Sequence, residues 1–270
     1  MLVNGLPSDV ISAEDRGLSY GDGVFRTLRV HQGRPLSWQH HYLKLRHDCD
    51  AIGISCPSAE LLLNELLVLS ATQQDGIAKI IITRGAGPRG YAPPPANKAT
   101  RVLSLNPAPT YDHEFFSAGI TLHVCRLKLG HQPLLAGIKH LNRLENVIAA
   151  SECQAIGAQE GVLEDEDGLV ISGTRSNLFV LRDGTLYTPD LSRCGVAGVQ
   201  RDRVLSWAKM HGVVCEITQI RMDELLTADE LFLVNSAFGL WPVRELASYQ
   251  RTVHPMSWQI QQWLNHEDIK

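Results

Sequence analysis

Runs of apolar and β-branched residues of strand length occur at 24–30, 77–83, 101–106, 120–124, 177–181 and 231–235. Between them apolar residues recur at three- and four-residue spacing over 36–52, 59–73, 142–154 and 200–211, which predicts amphipathic helices. The runs 77–83 and 101–106 follow one another with no helix between them. A strict β-α alternation is therefore broken, and an α+β fold with mixed or antiparallel sheets in two layers is expected. The Pro-rich stretch Asn106-Pro-Ala-Pro-Thr-Tyr-Asp112 separates two strand signals and predicts a linker. It divides a smaller N-terminal domain, 1–112, from a larger C-terminal one, 113–270. A second irregular stretch, 85–96, is too long and too rich in Gly and Pro for an ordinary hairpin, which marks it as a functional loop.

Composition narrows the function. The chain has 270 residues, 44% of them hydrophobic and 20% charged, so it can bury a sizeable core and is neither disordered nor fibrous. A net charge of −4, without a cluster of basic residues, gives no footprint for nucleic acid. A small-molecule substrate is the better expectation. No run approaches the roughly 18 apolar residues of a membrane span, and the opening Met-Leu-Val-Asn-Gly lacks a basic segment followed by an apolar one. No membrane partner is expected, and the six scattered cysteines, without a C-x-x-C pair, fit a reducing cytoplasm. His40, His41 and His47 do not form the i, i+4 pair with an acid that a metal site needs, so no metal is expected.

Three stretches carry chemistry. In Leu135-Ala-Gly-Ile-Lys139-His-Leu-Asn142-Arg143-Leu-Glu145, Lys139 follows an apolar run and precedes a helix. Burial there disfavours the ammonium and lowers a lysine pKa, which a nucleophilic lysine needs; a snorkelling lysine at an element end is the plain alternative. In Val196-Ala-Gly198-Val199-Gln200-Arg201 a glycine opens a helical pattern, whose free N–H groups would cradle a phosphate. Helix starts after glycine are also common without a ligand. Asn235-Ser236-Ala-Phe-Gly239, small and polar after a buried strand, suits an anion or an ordinary turn.

Together these stretches resemble the fold-type IV group of pyridoxal 5'-phosphate (PLP) enzymes, related to D-amino acid and branched-chain aminotransferases. Within it they are most similar to the 4-amino-4-deoxychorismate lyases. Asp15-Arg-Gly-Leu-Ser-Tyr-Gly-Asp-Gly-Val-Phe25 resembles the group's N-terminal signature, and Ser172-Gly-Thr-Arg-Ser-Asn177-Leu-Phe179 its cofactor-edge segment. The Lys139 stretch and Arg84-Gly-Ala-Gly-Pro-Arg-Gly-Tyr91 resemble the lyases in particular. The similarity runs from about residue 3 to about 243.

The resemblance implies a homodimer with PLP in the cleft between the two domains and Lys139 as the residue that binds it covalently and then acts as acid and base. It implies phosphate contacts from Val199, Gln200, Asn235 and Ser236, and a place for Asn177 at the cofactor. It further implies an enzyme of folate synthesis that converts 4-amino-4-deoxychorismate to 4-aminobenzoate and pyruvate. The two substrate carboxylates call for guanidinium forks. Arg26, Arg84 and Arg89 are the expected ones, with Tyr91 and Asn142 lining the same pocket, and solvated surface arginines as the plain alternative.

Two positions depart from the group. Lys44, in His41-Tyr-Leu-Lys44-Leu45, replaces an arginine that reaches the phosphate, keeping the charge and losing the bidentate fork. Ser172 replaces a glutamate that pairs with the pyridine nitrogen. A hydroxyl supplies only a neutral hydrogen bond and weakens the electron sink. That loss hurts transamination more than an elimination driven by aromatisation, so Ser172 favours the lyase. An aminotransferase, or a weakly active PLP-binding protein, remains as the alternative. The acids Glu164, Asp165, Glu166 and Asp167 are expected in a solvated hairpin turn ending at Gly168.

Overall fold

The computed structural model describes residues 1–95 and 98–269; Ala96, at the end of the Gly/Pro loop, lies outside them. The chain divides into two compact units, one of residues Met1–Pro109 with Ile138–Asn142, the other of Thr110–Gly137 with Arg143–Lys270. The break in the chain thus lies beside the Pro-rich stretch. Residues 138–142, expected in the second domain, cluster with the first unit instead.

The first unit is built on a six-stranded antiparallel sheet, in the order Leu6–Pro7, Leu2–Val3, Thr100–Asn106, Gly76–Thr83, Gly23–His31, Arg34–Pro35. Alternate residues Val24, Leu28 and Val30 of one strand and Ala78, Ile80 and Ile82 of its neighbour are buried. They pack with Leu45 and Cys49 of the helix Trp38–Ala51 and with Leu62 and Leu66 of the helix Ala59–Ser70. Burial on one face and alternation along the strand have one cause, the two-residue pleat. Ser58 starts the second helix by accepting a hydrogen bond from the Leu61 N–H.

Residues 138–142 join this unit because they extend its sheet. Phe25 N–H donates to the Lys139 carbonyl at 2.9 Å, Leu141 N–H to the Gly23 carbonyl at 3.0 Å, His140 bridges Val24, and Ile138 is buried in the same core.

The second unit holds a mixed sheet in the order Cys215–Thr218, Thr185–Pro189, Asn177–Arg182, Glu230–Asn235, Gly239–Leu246, Ile120–Leu129, Glu160–Asp165, Val170–Gly173, with Tyr249–Gln250 paired to Gly239–Leu246. Its central strands are apolar without alternation, Leu178-Phe-Val-Leu181 and Leu231-Phe-Leu-Val234, because both faces are covered. Leu178, Val180, Leu231 and Leu233 pack with Trp241 and Val243 on one side. On the other, Phe179 and Phe232 stack at 5.1 Å under the helices Val199–Met210 and Pro255–Ile269.

The strand expected at 120–124 continues to Leu129. The acidic stretch needs a correction as well: Glu164 and Asp165 end a buried strand, and only Glu166 and Asp167 are exposed in the turn. Asp165 builds that hairpin by accepting from the Asp167 N–H at 3.0 Å and the Leu169 N–H at 2.8 Å. No described helix is long and apolar enough to cross a membrane.

Candidate functional site

Lys139 is half-buried, and its backbone is held on both sides. The Phe25 N–H donates to its carbonyl, as above, and its own N–H donates to Asp48 Oδ2 at 3.0 Å. Its ammonium lies 4.7 Å from the centre of the Phe25 ring, where the ring quadrupole favours the cation. Asp48, 1% exposed, also takes the Arg26 guanidinium in an ion pair. Arg26 is 2% exposed and donates a second hydrogen bond to the Lys44 carbonyl at 3.3 Å. Its expected role as a substrate fork gives way to an internal one, because a buried guanidinium paired with Asp48 does not face a ligand. Lys44 is half-buried on the helix Trp38–Ala51.

The N-terminal signature builds a clamp on the Gly/Pro loop. Asp15 caps the helix Arg16–Tyr20, accepting from the Gly17 N–H at 2.8 Å and from Thr83 Oγ1 at 2.9 Å. Buried Arg16 donates to Asp22 Oδ2 at 2.8 Å, to the Gly90 carbonyl at 2.7 Å and to the Tyr91 carbonyl at 2.8 Å, and its guanidinium lies 4.8 Å from the Tyr20 ring centre. Arg84 completes the clamp. It donates to the same Asp22 oxygen at 2.7 Å and to the Gly53 and Ile52 carbonyls at 2.7 and 2.6 Å, the open end of the helix Trp38–Ala51.

Arg84 is therefore corrected from substrate fork to structural tie, since its guanidinium already meets three protein acceptors. Burial raises the Asp22 carboxyl, and the hydrogen bonds from Arg84 and then Arg16 overcome it, holding the group below its ordinary value. On the clamped loop Arg89 is exposed, and Tyr91 is 87% exposed with its ring 5.5 Å from that of Tyr20. The Asn142 side chain lies against Gly21, where a Cβ would come within 2.1 Å of Asn142 Oδ1.

In the second unit Asn177 shapes the approach to a helix start. Its Nδ2 donates to the Val196 carbonyl at 2.8 Å and its Oδ1 accepts from the Gly198 N–H at 3.1 Å. A Cβ on Gly198 would sit 2.4 Å from that oxygen, so only glycine fits. The helix Val199–Met210 then begins with no side chain capping it, which leaves the N–H groups of its first turn for a ligand. Gln200 is buried and accepts from Arg203 Nη1 at 3.1 Å.

Asn235 organises the neighbouring turn, accepting from the Ala237 and Phe238 N–H groups at 2.9 Å each and donating to the Arg175 carbonyl at 3.2 Å. Ser236 is half-buried in that turn. Ser172, 7% exposed, donates its hydroxyl proton to the Gly173 carbonyl at 2.8 Å, so what it offers elsewhere is a lone pair.

A family profile, Amino-transferase class IV, matches residues 23–246. The chain belongs to the class IV aminotransferase family. It is similar to the crystal structure of 4-amino-4-deoxychorismate lyase from Pseudomonas aeruginosa, at 45% identity and TM-score 0.94 over 98% of each chain. The aminodeoxychorismate lyase of Vibrio harveyi is 34% identical over 93% of both chains. A putative branched-chain-amino-acid aminotransferase of Methanocaldococcus jannaschii is 31% identical over 87% of this chain and 82% of its own. The fold is that of the fold-type IV enzymes.

Class IV aminotransferases use PLP, and the residues present fit it. A half-buried lysine with a fixed backbone suits a covalent carbonyl ligand. A helix start that no side chain caps suits a phosphate, and Ser172 presents an uncharged acceptor.

His131, Asp165 and Asp167 could converge on a cation. Arg193 already pairs with Asp167 and lies 4.0 Å from Asp165, so the position has its positive charge. The residues that sequence reasoning missed are Asp48, Arg16, Asp22 and Phe25. Arg16, Asp22 and Phe25 lie inside the recognised signature, but nothing in a linear pattern says which of its residues clamp a loop.

Proposed function

We propose that the protein is a PLP-dependent lyase that converts 4-amino-4-deoxychorismate to 4-aminobenzoate and pyruvate in folate synthesis. The observation that carries this reading is the pinned Lys139 within a chain 45% identical, over nearly its whole length, to a lyase of that name. Ser172 agrees with it, because a neutral group at that position suits an elimination better than a transamination.

Bound PLP supplies a carbonyl that captures the substrate amine and a conjugated ring that draws electrons from the neighbouring carbon. Lys139 would hold that carbonyl carbon at rest, and its Nζ, once free, would take the proton from the amine-bearing carbon. The enolpyruvyl oxygen then leaves with the electrons of the C–O bond as the ring becomes aromatic. Lys139 would return that proton to the enolpyruvyl carbon, which completes pyruvate, and its Nζ would take back the carbonyl carbon as the amine of 4-aminobenzoate leaves. The Val199 and Gln200 N–H groups and the Asn235–Ser236 turn would hold the phosphate, with Asn177 keeping the helix start in place, and the resemblance gives Lys44 the role of a further phosphate charge. Arg89, which no protein acceptor occupies among the described residues, meets a substrate carboxylate with Tyr91 and Asn142 beside it.

The protein acts as a cytoplasmic homodimer in this reading. Leu144, Val147 and Ile148, one stripe of the helix Leu144–Ile156, are 70%, 58% and 46% exposed, an apolar face of the kind a second copy covers. All six cysteines are free, which suits a reducing compartment. Pyruvate release from 4-amino-4-deoxychorismate, coupled to lactate dehydrogenase, tests the assignment of Lys139. Wild type is expected to turn over and folded Lys139→Ala to lose at least about a thousandfold in kcat, the scale of losing a covalent acid-base group. Equal turnover by the two would overturn it.

A further inference from the structure

Asp48 stands where helix energetics argue against it. It lies near the carbonyl end of the helix Trp38–Ala51, where the dipole disfavours an anion, and no basic residue occupies that last turn. It is also buried, and a buried ion pair adds little stability over well-packed apolar residues. What an apolar pair could not do is accept the Lys139 N–H, which Asp48 Oδ2 takes at 3.0 Å while it pairs with Arg26.

Arg26 follows Phe25 in the strand Gly23–His31, and Phe25 holds the other side of the same residue: its N–H donates to the Lys139 carbonyl at 2.9 Å and its ring lies under the ammonium. Two neighbouring strand residues and one helix carboxylate thus fix the peptide from which Lys139 projects.

We propose that Asp48 is a positioning residue for Lys139, with Arg26 as its counter-ion. The role rests on Lys139 being the PLP-binding lysine. Asp48 holds the backbone so that Nζ leaves it in one direction, over Phe25, where it can meet the cofactor carbonyl and later the substrate proton. A chain without this tether keeps the fold and presents the amine less often in the reactive geometry.

The test measures how fast added PLP becomes fixable by borohydride on Lys139, read by peptide mass spectrometry, in wild type, Asp48→Asn and the double variant Arg26→Met/Asp48→Leu. The double variant removes both buried charges, so its Tm is expected within a few degrees of wild type, while its labelling slows by about tenfold or more. Asp48→Asn keeps an oxygen in place and is expected to fall between the two. In turnover, kcat drops with little change in KM.

Labelling of the folded double variant within about twofold of wild type would overturn the positioning role. If that variant does not fold, Asp48→Asn decides, and labelling at the wild-type rate would count against the proposal. A wild type whose Lys139 takes no label overturns the PLP reading itself, a result distinct from either.

Discussion

Ser172 puts an uncharged, buried hydroxyl in a place where the resemblance expects an anion, and its proton is engaged by the Gly173 carbonyl. In the proposed site this would give the ring nitrogen of PLP a neutral partner. Ser172→Glu is expected to shift the visible absorbance of the bound cofactor and to raise amino-group exchange, with the lyase kcat altered by less than about tenfold, the equivalent of one pKa unit. Absorbance spectra and paired assays check this, and a lyase gain of a hundredfold would show that Ser172 cripples the site.

The thiols offer a second residue-scale prediction. Burial pushes Cys125 and Cys194 up to about 12, whereas half-buried Cys56 is held below its ordinary value by a hydrogen bond from Cys49, against the opposing effect of burial. Iodoacetamide at neutral pH should therefore modify Cys56 first. Cys125 modified as fast as Cys56, by mass spectrometry, would contradict it.

Among elements, the clamp on the Gly/Pro loop and the start of the helix Val199–Met210 carry the sharpest consequences. The folded-state value of Asp22 lies below its unfolded value of about 4. The stabilisation from its two arginines is thus complete above that unfolded value and is lost as pH falls through the folded one. Arg16→Gln should cost about 2 kcal/mol at neutral pH, the scale of charged hydrogen bonds lost from a buried group. It should also flatten the acid limb of the Tm–pH curve and raise KM more than it lowers kcat. A parallel acid limb in the variant would count against the clamp. Gly198→Ala should weaken PLP binding by roughly 5–100-fold, the equivalent of about 1–3 kcal/mol of overpacking against Asn177, measured by cofactor titration.

The central strands were legible as short continuous apolar runs, and four long helices by apolar residues at three- and four-residue spacing. The hairpin turn ending at Gly168 was legible, but the buried strand Glu160–Asp165 before it was not, because Glu164 and Asp165 read as solvent-facing acids while Asp165 in fact satisfies backbone donors. Asp48 and Arg16 escaped for a related reason: their partners at Lys139 and Gly90 lie 91 and 74 residues away in the chain. The same blindness made Arg26 and Arg84 look available for substrate.

At the scale of the whole molecule, the sequence carried the α+β class, because its strand and helix signals do not alternate strictly. It did not carry the return of residues 138–142 to the first unit, since a short sheet extension has no periodicity of its own. The exposed stripe Leu144, Val147, Ile148 bears on assembly. In the proposed homodimer, Val147→Glu should shift the mass seen by light scattering from two copies toward one, because a charge in an apolar interface is left without a partner. An unchanged mass would place the interface elsewhere.

The most direct measurement of what this protein does compares two reactions on one purified, PLP-loaded sample. One arm follows the fluorescence of 4-aminobenzoate released from 4-amino-4-deoxychorismate; the other follows amino-group exchange between D-alanine or a branched-chain amino acid and 2-oxoglutarate. The lyase reading predicts rapid 4-aminobenzoate formation and little exchange. Exchange without 4-aminobenzoate would contradict it and make the protein an aminotransferase.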